Sequence, residues 1–122
     1  MARSGSFWQQ RLFAFRDAGR GVAFLIRGEA HARIHLLATL IVLGLGLWLG
    51  LPLTDWLPLI LAIGLVWVAE AVNSAIEATV DLVSPDWHPL AGKAKDIAAG
   101  AVLLAALCAA SVGVLVFGPH FF

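Results

Sequence analysis

Charge is what this sequence lacks most. Asp, Glu, Lys and Arg make up 13% of its 122 residues and hydrophobic residues 61%, against about 25% and about 45 to 50% in a soluble domain. With a mean hydropathy of +0.90, an ordinary soluble domain is excluded and a membrane protein is expected. Cysteine occurs once, so neither a disulfide framework nor a cysteine-based metal site can form within one chain, and Cys108, inside an apolar run, reads as packing. The first thirty residues carry Arg3, Arg11, Arg16, Arg20 and Arg27 without a sustained apolar core, so no cleavable leader is expected. Lys and Arg are missing from the 51–55 turn and from the tail after residue 117. All of them lie before a first apolar span or between a second and a third, which by the positive-inside rule puts the N-terminus and the second loop in the cytoplasm.

The apolar segments predict an all-α membrane protein of a single domain, 1–122, with an interfacial helix at about 6–30 and spans at about 34–51, 56–81 and 97–117. In the first segment Trp8, Leu12, Phe15, Gly19, Val22 and Ile26 recur at spacings of 3 and 4, the pattern of one helix face. Arg11, Arg16, Arg20 and Arg27 flank it, although Phe13 and Phe24 fall off the stripe. Such a helix lies in the headgroup plane with its guanidinium groups reaching lipid phosphates; the plainer alternative is an amphipathic helix packed on a neighbour. Gly46 and Gly50 form a small-xxx-small pair suited to close helix approach. Pro58 is placed in the first turn of the second span, where a missing N–H does little harm. Residues 84–95 read as a broken, polar loop. In the third span Ala101, Ala105, Ala109 and Gly113 repeat every fourth residue as a flat packing seam.

One stretch departs from this apolar background. The 70–81 segment, EAVNSAIEATVD, places Glu70, Asn73, Glu77 and Asp81 at spacings of 3, 4 and 4, one narrow stripe covering about 16 Å of helix. An ionised carboxylate facing hydrocarbon costs several kcal/mol, so acids at membrane depth face protein or water and mark functional sites. The stripe also admits a structural explanation, in which Glu70 and Glu77 hydrogen-bond neighbouring helices or the span ends before Glu77. Glu29 stands at the membrane boundary, where an acid is commonly just solvated. With Glu29, Glu77, Asp81, Lys93, Lys95 and Asp96 all at the cytoplasmic rim, the charge set suits Mg²⁺ with a nucleotide, because Mg²⁺ takes one or two carboxylates together with phosphate oxygens. A P-loop is excluded, since Gly92-Lys93 is followed by Ala94 and no strand precedes it. His31, His35 and His88 lack the HExxH spacing of a zinc site.

Segment 70–81 together with WHPLAGKAKDIAAGAVLLAA at 87–106 resembles the small prokaryotic integral-membrane diacylglycerol kinase and undecaprenol kinase family, and the likeness extends back through GEAHARIH at 28–35. The resemblance implies an interfacial helix and three transmembrane helices in the prokaryotic inner membrane, assembled as a homotrimer. Active sites are then shared between protomers at the cytoplasmic surface. It implies MgATP as phosphoryl donor, a membrane lipid alcohol as acceptor and no nucleic-acid partner. Carried across, Glu70 matches the catalytic base, Glu29 and Glu77 the carboxylates that bind the metal ions, and Asn73 the active-site asparagine. Asp86, Trp87 and His88 match the nucleotide-contacting loop, and Lys95 and Asp96 the pair that meets phosphate and sugar or adenine. Small residues at Ala99 and Gly100 leave room for the lipid head.

The chain departs from the diacylglycerol-type members by placing Gln10, beside Arg11, and Asp17 where they have a basic residue and a tyrosine. His31 stands where undecaprenol-type relatives often have Asn, while HPLA at 88–91 resembles the undecaprenol branch. Mechanistically, a carboxylate withdrawn from water at Glu70 suits removal of a proton from the lipid hydroxyl, with Mg²⁺ and Lys95 neutralising phosphate charge. The rival expectation is a small homo-oligomeric channel or carrier moving protons or cations along the Glu70–Glu77 seam; it leaves Lys93, Lys95, Asp96 and the His88 loop without a task. A structural subunit does not explain why Glu70 is tolerated.

Overall fold

The computed structural model describes residues 5–122, so Arg3 lies outside the described residues. Four helices follow one another: α1 Phe7–Gly28, α2 Ala30–Leu49, α3 Leu53–Val83 and α4 Pro89–Phe121. The last three are long and apolar enough to cross a membrane.

Each helix end has a local cause. Ser6 opens α1 with a capping box: its Oγ accepts from the Gln9 N–H at 3.3 Å, and Gln9 Oε1 accepts from the Ser6 N–H at 3.1 Å, so two N-terminal donors are satisfied reciprocally. Glu29 breaks the path between α1 and α2 with extended backbone, φ −116° and ψ 121°. Gly50 ends α2 at φ +66°, a left-handed position that a residue with a Cβ adopts only at a cost. The glycine pair therefore differs from the expected helix–helix seam. Gly50 serves the cap, while Gly46 makes room for an indole, since a Cβ there would lie 2.6 Å from Trp56 Cη2.

Three further expectations are corrected. Helix α3 starts at Leu53, so Pro58 is its sixth residue and lies inside the helix, where it removes the bond its N–H would give the Thr54 carbonyl. The loop before the third span is only 84–88: Pro89 occupies the first turn of α4, and His88 Nδ1 accepts from the Leu90 N–H at 3.1 Å. Pro at that position has the backbone angle a starting helix needs. Lys93, Lys95 and Asp96 are thus helical, and the helix runs on through Pro119 rather than stopping near 117.

Helices α3 and α4 form an antiparallel hairpin that carries most of the contacts between elements. The hairpin end away from the 84–88 loop is a cluster of Leu51, Leu59 and Val116, with Val42, Trp56, Val112 and Phe117 around it, and Asp55 and His120 meet there at 3.8 Å. Of the alanine seam, Ala105 is buried and Ala109 and Gly113 line the cleft between α2, α3 and α4, whereas Ala101 is exposed. Helix α1 faces α3 across a groove lined by Ala18, Gly21 and Leu25, positions about a quarter turn from the bulky stripe. That stripe is left outward, with Trp8 75% and Phe15 76% exposed.

Candidate active site

The polar stripe of α3 is resolved into three stations. The deepest is Glu70, the one buried charged side chain among the described residues, 4% exposed. Its Oε1 lies 2.7 Å from His35 Nε2 on α2. The Thr39 hydroxyl donates to the His35 carbonyl at 2.7 Å and accepts from Trp67 Nε1 at 3.0 Å. Two turns of α2 are thereby tied to the turn of α3 that precedes Glu70. A buried polar group that makes its hydrogen bonds is tolerated at this depth; one left unpaired is not.

The middle station is the pair of Asn73 and Glu77, where Asn73 Nδ2 donates to Glu77 Oε1 at 3.2 Å. That bond fixes which way the amide points, because the opposite orientation would set oxygen against carboxylate. Asn73 Oδ1 is buried and has no partner. An acceptor held in this state beside a carboxylate is what a hard cation, or a water on one, would satisfy.

At the loop end of the α3–α4 hairpin, Lys95 Nζ donates to Asp81 Oδ1 at 2.5 Å, and Lys95 also lies in the field of Glu77. A pocket of about 160 Å³ gathers Asp81, Asp86, Trp87, His88 and Lys95. Within its rim the Ser84 hydroxyl donates to the Asp86 carbonyl at 2.9 Å, holding the loop, and the Trp87 ring is 85% exposed. Four of the expected nucleotide residues, Asp86, Trp87, His88 and Lys95, thus share one pocket. Asp96 is exposed and outside its lining, as is Ala99 one turn beyond Lys95.

Glu29 is half-buried, and its side chain makes no capping bond. It lines a groove of about 490 Å³ between α1 and α3 with Ala71, Ser74 and Ala75, a face of α3 about a quarter turn from the Glu70–Asp81 stripe. No group of three or more His, Cys, Asp and Glu side chains converges on one point among the described residues. One chain therefore assembles the carboxylate–amide pair and the loop pocket, and leaves Glu29 on a neighbouring face.

Comparison with known proteins identifies the family of the chain. The profile of the prokaryotic diacylglycerol kinase family matches residues 16–117. The chain belongs to that family. Membership makes it a membrane lipid kinase and sets aside the channel expectation. It is 41% identical over 106 residues to the undecaprenol kinase of Bacillus subtilis, covering 87% of this chain and 86% of that one. With the diacylglycerol kinase of Escherichia coli K12 it shares 36% over 93 residues, 76% of each chain. With the diacylglycerol kinase of Synechocystis it shares 41% over 103 residues, 84% of this chain and 59% of that protein.

Two participants in the kinase's polar network were not legible as such. In the sequence His35 reads only as a zinc candidate, yet in the structure its partner is Glu70. The spacing puts Asp81 on the stripe but does not pair it with Lys95, as the structure does. The signal for the second was present in the sequence: an acid and a base flank a short loop at the facing ends of two helices.

Proposed function

We propose that this lipid kinase transfers the γ-phosphate of MgATP to the hydroxyl of a membrane lipid alcohol, with undecaprenol favoured over diacylglycerol. The observation that carries the reading is Glu70, a carboxylate 4% exposed inside a 31-residue apolar helix, followed at one-turn intervals by Asn73, Glu77 and Asp81. Glu70 is the general base that takes the proton of the attacking hydroxyl. The lipid oxygen forms its bond to the γ-phosphorus as the bond to the bridging oxygen of ADP breaks. Lys95, Asp86, Trp87 and His88 bind the nucleotide in the loop pocket, Asp96 reaches its sugar or base, and Ala99 leaves space for the lipid head.

Glu77 and Glu29 would hold Mg²⁺, and the unpartnered Asn73 oxygen fits a hard cation beside Glu77. When bound, the ion neutralises charge on the β- and γ-phosphates. Because Glu29 lies beside a different face of α3 from the one that carries Glu77, the carboxylates complete one site between protomers of a homotrimer. The chain is one domain in the prokaryotic inner membrane with its N-terminus cytoplasmic, as the positions of Lys and Arg support. Helix α1 lies in the interface, its outward Trp8, Leu12 and Phe15 in lipid.

The lean toward undecaprenol rests on HPLA at 88–91 and on the 41% identity with the Bacillus subtilis undecaprenol kinase over 86% of that protein. Transfer of labelled γ-phosphate from MgATP to a panel of lipid alcohols in one micelle system tests both levels. Phosphorylation of undecaprenol with the higher kcat/KM is expected. A clearly higher value for diacylglycerol reverses the lean, and no transfer to any lipid alcohol defeats the whole proposal.

A further inference from the structure

We propose that His35 is a positioning residue for the base: its Nε2–H holds one oxygen of Glu70 and leaves the other free to take the proton of the lipid hydroxyl. The proposal rests on Glu70 being the base, and goes beyond it by naming what orients that carboxylate.

The geometry is specific. The 2.7 Å contact joins a carboxylate side chain 5% exposed to an imidazole 22% exposed. A carboxylate is an acceptor only, so the imidazole nitrogen facing it is the protonated one, which assigns the tautomer. His35 is itself held in place. Its carbonyl receives the Thr39 hydroxyl, and Thr39 receives Trp67 Nε1 from α3, so the α2 turn that carries the ring is fixed to the helix that carries the acid. Beyond His35 the cleft between α2, α3 and α4 is apolar, lined by Val42, Leu59, Ala62, Val66 and Ala106 among others, and a hydrogen bond in such surroundings is stronger than one in water.

A purely structural role for this pair is the weaker explanation. Helices α2 and α3 are already joined at the same level by Trp67 and Thr39. A buried pair of ionisable groups gives little net stability over apolar residues of the same size, so packing alone does not call for an acid and an imidazole here. What the pair does supply is a carboxylate held in one orientation by a donor. Orientation matters because a general base acts only within hydrogen-bond reach of its proton. With Oε1 held by His35, the proton of the lipid hydroxyl passes to Oε2 as the O–P bond forms and ADP leaves.

The test compares wild type, H35L, H35Q and E70Q as purified protein in one micelle composition, reading kcat, the KM for MgATP and assembly. Leu fills the space without a donor; Gln places an amide N–H where Nε2 stands. H35L is expected to lose at least about tenfold in kcat, a part of the about 10² to 10⁴ that a general base contributes. Its KM for MgATP should stay within about twofold, and H35Q should recover kcat to within about threefold of wild type. A structural role predicts instead equal loss in H35L and H35Q together with weakened assembly, and that result overturns the proposal. Wild-type kcat in H35L overturns it too while leaving Glu70 as the base, provided E70Q is inactive. Turnover in E70Q at the wild-type rate removes the base assignment and His35's role with it.

Discussion

Replacing Asn73 by Leu should cost the kinase its activity while barely changing its stability. The substitution removes one hydrogen bond, from Nδ2 to Glu77 Oε1 at 3.2 Å. A bond to a charged acceptor is worth about 1.5 to 3 kcal/mol, but Glu77 is half-buried, so water replaces part of it. The same substitution removes a buried oxygen that has no partner, and an unmet buried acceptor costs about 1 to 3 kcal/mol. Leu has the same number and branching of side-chain heavy atoms as Asn, and is more at home among the apolar neighbours of α3. The two effects nearly cancel, leaving a net change within about 1 kcal/mol. Activity has no such compensation: if the Asn73 oxygen serves the metal–nucleotide complex, a loss of about 100-fold corresponds to about 2.7 kcal/mol of barrier. Unfolding of the purified protein in a denaturing detergent series, run beside initial rates of phosphate transfer, separates the two quantities. A variant destabilised by more than about 3 kcal/mol, or one that retains its rate, would refute the assignment of the orphan oxygen to the active site.

Three other substitutions have definite outcomes. Glu29→Ala and Glu77→Ala should each raise the Mg²⁺ concentration needed for half-maximal activity, since each removes a carboxylate from a hard-cation site; unchanged metal titrations in both variants count against the assignment. Gly46→Ala should destabilise the fold by about 1 to 3 kcal/mol, as typical for overpacking, because the new Cβ would stand 2.6 Å from Trp56 Cη2 and 3.2 Å from Leu51 Cδ1; detergent unfolding at the wild-type midpoint would show that the indole moves aside freely.

The parts of this molecule that sequence exposes are those governed by local periodicity. The Glu70–Asp81 stripe follows from spacing alone, since a helix of 3.6 residues per turn puts positions 3 and 4 apart on one face. The three spans follow from apolar length. What escaped depends on geometry that spacing does not carry. In the sequence Pro89 and Gly92 look like breaks that extend the loop over 84–95, yet Pro89 sits where a proline helps a helix begin, and His88 caps it. Gly46 and Gly50 share a motif but have unrelated tasks, one under an indole and one at a left-handed cap. His35 meets Glu70 from 35 residues away, a contact set by how α2 lies against α3. The position of Glu29 relative to Glu77 is likewise a matter of how helices, and on this account protomers, come together.

The most direct test of the central claim is the rate of γ-phosphate transfer from MgATP to lipid alcohol by E70Q beside wild type, in the same micelles and with assembly verified. The amide keeps the shape of the carboxylate and cannot take the proton, so a loss of about 10² to 10⁴ in kcat with the KM for MgATP little changed is expected. Near-normal turnover in E70Q would contradict it, and would return Glu70 to the role of a buried acid that merely joins α3 to His35.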